Sequence, residues 1–189
     1  MPFELIVVGT SLGGLNALSV LLSALPTDFP LPVVLAPHRG KDRFPSLADC
    51  LSERTSHIIE EPDDKAPIIP GHVYMAPADY HLMIDNDCLA LSTEAPVHHC
   101  RPSIDVLFQS ASEHFGNRVA GVILTGSNDD GALGARTIEE RGGLVIVQDP
   151  RDAEACALPN SVLLSTKHAR VMPLLEIAPY LVSVAAIRT

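Results

Sequence analysis

The chain has 189 residues, a net charge of −10, 47% hydrophobic residues, 4% aromatics and no tryptophan. That length supports one domain with a sizeable core of Val, Ile, Leu and Ala, the usual filling of buried parallel strands. The acidic balance argues against nucleic acid as the main partner, and no apolar run nears the roughly 20 residues that cross a bilayer.

Residues 3–8 read as a buried strand and residues 13–24 as a helix with apolar positions at helical spacing. A second buried strand, LPVVLAPH, covers residues 31–38 and is ended by Pro37. FPSLADCLSERT reads as a helix from Phe44, with Pro45 in its first turn. EEPDDKAPIIPG is turn and loop. HVYMAP and the pair YHLMIDND and CLALST are short strands, the last two joined at DND as a hairpin. RPSIDVLFQSASEHFG starts a helix with Ser103 as its cap. RVAGVILTG is a buried strand, DDGALGARTIEERGG a helix closed by two glycines, LVIVQDP a strand and PLLEIAPYLVSVAA a helix. Alternating strands and helices predict an α/β fold: a doubly wound, mostly parallel sheet with helices on both faces and an appended antiparallel hairpin. Neither repeat nor linker is visible, so residues 1–189 are expected to form a single domain.

The amino terminus, MPFELIVVG, lacks the basic start of a secretory signal, so the cytoplasm is the expected location. Cys50, Cys88, Cys100 and Cys156 form no Cys-x-x-Cys pair, consistent with reduced thiols.

In open α/β sheets, sites form beyond the carboxyl ends of the strands. Those ends carry Ser11 within VVGTSLGG, His38 within PHRG, and Asp129 and Asp130 within GSNDDG. Serine, histidine and aspartate are the parts of a hydrolytic triad, in which a base takes the hydroxyl proton and an acid orients the base. Gly9, Ser11 and Gly14 also match a dinucleotide fingerprint with serine at its middle glycine. From this motif alone, nucleophile and nucleotide turn both remain open. His38 alone reads as a loop histidine and either aspartate as a helix cap; the three together favour catalysis. His98, His99 and Cys100 suggest a metal, but adjacent strand residues face opposite sides, so no metal is expected there. His57, His72, His114 and His168 have no recognisable partners in the sequence.

With these residues in place, the sequence resembles the catalytic domain of the chemotaxis protein-glutamate methylesterases, the CheB family. The resemblance rests on VVGTSLGG, on IIPGHVYMAPADYHL (Pro70, Gly71, Tyr74, Ala76, Pro77 and His81), on RPSIDVLF, on GVILTGSNDDGALG and on VQDPRDAEACALPNSV. It implies hydrolysis of glutamyl γ-methyl esters on the cytoplasmic helices of methylated chemoreceptors, with deamidation of glutamines as a second activity and no cofactor. It puts the family's serine on Ser11, its histidine on His38, its aspartate on Asp130 and an oxyanion-binding amide at Ser127. Leu12, Ser127 and Arg39 depart from the residues frequent in the family: the first two reshape the pocket mouth, and Arg39 is expected to add charge beside a glutamyl substrate. The family's receiver domain finds no room before Phe3, which implies constitutive activity or a regulator in trans. A catalytically silent binding module in a signalling complex is the alternative.

Overall fold

A computed structural model describes residues 3–40 and 46–186. Its elements are β1 (Leu5–Thr10), α1 (Gly14–Ala24), β2 (Val33–Pro37), α2 (Leu47–Arg54), β3 (Ile59–Glu60), β4 (Ala66–Pro67), β5 (Val73–Met75), β6 (His81–Asp85), β7 (Cys88–Ser92), α3 (Ile104–Phe115), β8 (Val119–Ile123), α4 (Ala132–Glu140), β9 (Leu144–Gln148), α5 (Ala157–Ser165), β10 (Arg170–Met172) and α6 (Leu174–Ala185). Seven strands pair in the order β10-β9-β8-β1-β2-β5-β3, every pair parallel.

β1 is buried at all six positions, as its continuous apolar run requires. Its side chains alternate: Ile6 and Val8 pack toward α1, α2 and α6, while Leu5 and Val7 pack toward α3, α4 and α5. The doubly wound architecture follows from this two-sided burial. The chain runs outward from β1 through β2, then returns to its other side at β8. The crevice beyond the carboxyl ends of β1, β2 and β8 is therefore the topological switch point, where such sheets place their sites.

The hairpin of β6 and β7 forms as predicted, its turn residues Asn86 and Asp87 both taking positive φ. It belongs to a separate three-stranded sheet, β4-β7-β6, because Ala66 and Pro67 pair with Leu89 and Cys88. This sheet packs on α3 through Leu82, Ile84 and Leu89. The stretch read as loop thus contains β4, and Glu60 at its start belongs to β3. Neither α5 nor β10 is visible in the sequence pattern. The helix predicted from Phe44 starts at Leu47, with Ser46 and Asp49 forming a capping box; Phe44 and Pro45 lie outside the described residues. Ser103 caps α3 as predicted, its hydroxyl accepting from the Val106 amide.

Candidate active site

Ser11 follows β1 directly, in a turn that must reverse within three residues to enter α1. Gly13 makes this turn feasible: its φ is +81°, and a Cβ there would lie 2.8 Å from a Glu154 carboxylate oxygen. The Ser11 amide donates to Thr125 O at 3.0 Å, which anchors the turn to the end of β8. Gly126 permits the close approach, since a Cβ on it would sit 3.0 Å from Ser11 Cβ.

Thr125 is the staple of this corner. Its buried hydroxyl donates to Leu12 O at 2.9 Å and accepts from the Ala155 amide at 2.8 Å. Its own amide donates to Gln148 Oε1 at 2.9 Å. Three loops, after β1, β8 and β9, are thereby held in one register.

His38 follows β2, and its amide donates to Thr10 O at 2.9 Å. Its Nε2 donates to Asp130 Oδ2 at 2.6 Å. Asp130 is fully buried and accepts three further hydrogen bonds: Ser103 Oγ at 2.8 Å, Ile104 N at 2.7 Å and Asp105 N at 3.2 Å. It therefore caps the amino terminus of α3, where the helix dipole favours a negative charge. Burial opposes ionisation of Asp130, but the bonds from His38, Ile104 and Ser103 outweigh it and hold the carboxyl below the usual range. Asp105 returns the favour, accepting from Gly131 N at 3.0 Å and Gly134 N at 2.7 Å at the start of α4. Burial pushes the Asp105 carboxyl up.

Donation of Nε2–H to Asp130 leaves Nδ1 as the lone-pair nitrogen of His38. Nδ1 accepts from Asn128 Nδ2 at 3.0 Å, and Cys100 Sγ lies 3.6 Å away. Ser11 and His38 line the same open cleft of about 760 Å³, together with Leu12, Arg39, Ser127 and Glu154. Among the described residues, no hydrogen bond joins Ser11 Oγ to Nδ1; Asn128 holds that nitrogen instead. Such bonds are often loose without substrate. The arrangement can perform acyl transfer once Asn128 yields Nδ1: a hydroxyl and an imidazole on one cleft, and a buried carboxylate fixing the tautomer.

The remaining residues separate clearly. Asp129 is exposed and faces His98 at 3.5 Å rather than His38. Leu12 is 57% exposed at the cleft rim, and Ser127 is exposed as well. Neither backbone amide donates to another described residue, so both are open to a ligand oxygen. Arg39 does not present an open charge: its guanidinium pairs with Glu61 at 2.7 Å and donates to Ala76 O at 3.3 Å. His98 and His99 are in a turn with positive φ bridged by Val97 and Cys100, not in the strand from which the sequence reading argued. Consequently Cys100 swings onto His38. His72 and His114 do have partners, Glu60 and Asp87. The sequence reading missed Thr125, Asn128 and Gln148, and named Cys100 without its contact to His38; only Thr125 and Gln148 carried a signal, as polar residues at the ends of apolar strands.

The CheB methylesterase family pattern matches residues 6–181. A Leptospira interrogans protein provisionally named protein-glutamate methylesterase/protein-glutamine glutaminase is 42% identical over 179 residues, covering 94% of this chain and 93% of that one. A Nocardioides protein-glutamate methylesterase/protein-glutamine glutaminase is 38% identical over 93% of this chain, which spans 49% of that protein. The crystal structure of the Thermotoga maritima CheB methylesterase catalytic domain superposes with a TM-score of 0.90 at 30% identity, covering 97% of this chain and all of that one.

Proposed function

Because the chain belongs to the CheB methylesterase family, we propose that it is a protein-glutamate methylesterase that uses Ser11, His38 and Asp130. The observation that carries the residue assignment is the 2.6 Å bond from His38 to buried Asp130 beside a cleft that also holds Ser11. Ser11 Oγ turns toward His38 Nδ1, displacing Asn128, and gives up its proton as it attacks the γ-ester carbonyl. The Leu12 and Ser127 amides hold the oxyanion. His38 returns the proton to the departing methoxide, which leaves as methanol. Water then attacks the acyl-enzyme with His38 again as base, freeing a glutamate carboxylate and restoring Ser11. Asp130 balances the imidazolium at both stages, and the relay needs no cofactor. Glutamine side chains would follow the same path with ammonia leaving.

The substrate is the set of methylated cytoplasmic helices of chemoreceptors, and on that account we propose the cytoplasm as the place of reaction. Among the described residues no helix is long and apolar enough to cross a membrane. Residues 6–181, which match the family pattern, act as a single catalytic domain. The catalytically silent alternative finds no support, since the relatives are named as enzymes. A nucleotide-binding reading is disfavoured by His38 and Arg39 standing where an acidic ribose partner belongs.

The test is incubation of the protein with a methyl-esterified receptor cytoplasmic fragment. Methanol should appear in step with restored glutamate, read by mass spectrometry. A fragment that keeps every methyl group would overturn the reading.

A further inference from the structure

We infer that His38 Nδ1 and Cys100 Sγ form an inhibitory binding site for a soft divalent cation, zinc above all. His38, Cys100 and Asp130 are the one group of three among the described residues whose ligand-type atoms all lie within 4.8 Å of one another. The two outward members have a specific separation, 3.6 Å between Nδ1 and Sγ. A tetrahedral zinc ion with Zn–N near 2.0–2.1 Å and Zn–S near 2.3 Å sets its nitrogen and sulfur ligands about 3.5 Å apart. The pair is therefore already spaced to receive the ion.

Burial and the nearby Asp130 carboxylate push the Cys100 thiol up, so the metal itself must draw off its proton. Nδ1 carries the lone pair because Nε2–H is committed to Asp130, and the ion takes the place of the Asn128 amide, which donates to Nδ1 at 3.0 Å and to Cys100 Sγ at 3.4 Å. Asp130 already accepts from four donors, so it stands behind the histidine as a supporting carboxylate rather than joining as a ligand. A carboxylate behind a ligating imidazole fixes its tautomer and raises its basicity. Thiolate and imidazole together suit zinc over magnesium or calcium. An entry path exists: a second cleft of about 380 Å³, contiguous with the first at His38, is lined by His38, His99, Cys100 and Arg101. Water fills the remaining coordination positions. Binding displaces the thiol proton to solvent and forms Zn–N and Zn–S bonds, with no change of oxidation state.

The inhibitory half rests on the proposed role of His38: a metal on Nδ1 occupies the lone pair that must accept the Ser11 proton. The binding half is independent of catalysis. Cobalt(II) added to the chelator-treated full chain reads binding alone, through the near-ultraviolet absorption of a cobalt–thiolate bond. The parent and Ser11→Ala should both show the band at one equivalent, and Cys100→Ser should lack it. In parallel, zinc should suppress methanol release by the parent reversibly on adding chelator. Cys100→Ser should keep metal-free turnover and need about tenfold or more zinc for the same inhibition. No thiolate band in the parent, or equal zinc sensitivity of parent and Cys100→Ser, would overturn the site. A band without loss of turnover would overturn the inhibition and count against His38 Nδ1 as the base, while an inactive parent that still shows the band would fail the methylesterase reading and leave the metal site standing.

Discussion

Replacing Asp130 with asparagine keeps the volume of a fully buried side chain and removes its charge. The amide can keep one oxygen, best placed toward His38 Nε2 at 2.6 Å and Ile104 N at 2.7 Å. Its NH2 then faces Ser103 Oγ, which can rotate to accept, and Asp105 N, which cannot. One orphaned buried amide costs about 1–3 kcal/mol of stability. The catalytic loss is larger, because an uncharged neighbour no longer supports the imidazolium. Three to four orders of magnitude in turnover, or roughly 4–5.5 kcal/mol of barrier, are expected. Asp129→Asn is the control: its side chain is 69% exposed, so stability should change by no more than about 0.5 kcal/mol and turnover not at all. Methanol release and urea unfolding measure both quantities on both variants. A crippled Asp129→Asn beside a nearly normal Asp130→Asn would refute the assignment.

Other outcomes follow from the same contacts. The lowered carboxyl of Asp130 contributes stability that is fully present above its unfolded value, about pH 4, and lost as pH falls through the lower folded value. Acid unfolding of Asp130→Asn should accordingly be shallower than that of the parent, as read by circular dichroism. Thr125→Val removes the hydroxyl that ties Leu12 O to the Ala155 amide and should cost about 1–3 kcal/mol in denaturant unfolding, with turnover falling as well. Gly13→Ala must hold a left-handed φ of +81° against Glu154 and should lose about 1–2 kcal/mol in the same assay.

The main sheet was legible because β1, β2, β8 and β9 are near-continuous apolar runs, and such runs announce two-sided burial. α3 was legible through Ser103, a local cap. β3, β4 and β10 are two or three residues long, so partner strands define them and no local pattern can. α5 escaped because Pro159 lies inside it and Leu164 stays 90% exposed, which blurs its apolar face. At the site, strand ends brought Ser11, His38 and Asp130 into view. The contacts of Cys100 and Asn128 with His38 did not show themselves, because they join residues 62 and 90 positions apart in the chain. The reciprocal capping of α3 by Asp130 and of α4 by Asp105 is likewise a product of helix packing.

The relay itself is tested most directly by a double-mutant cycle on methanol release, using Ser11→Ala, His38→Gln and the two combined. Groups that work as one unit are lost together. Each single variant should fall by about three orders of magnitude or more, and the double should fall little further. Losses that multiply, or a Ser11→Ala protein that still releases methanol at the parental rate, would contradict a serine activated by His38.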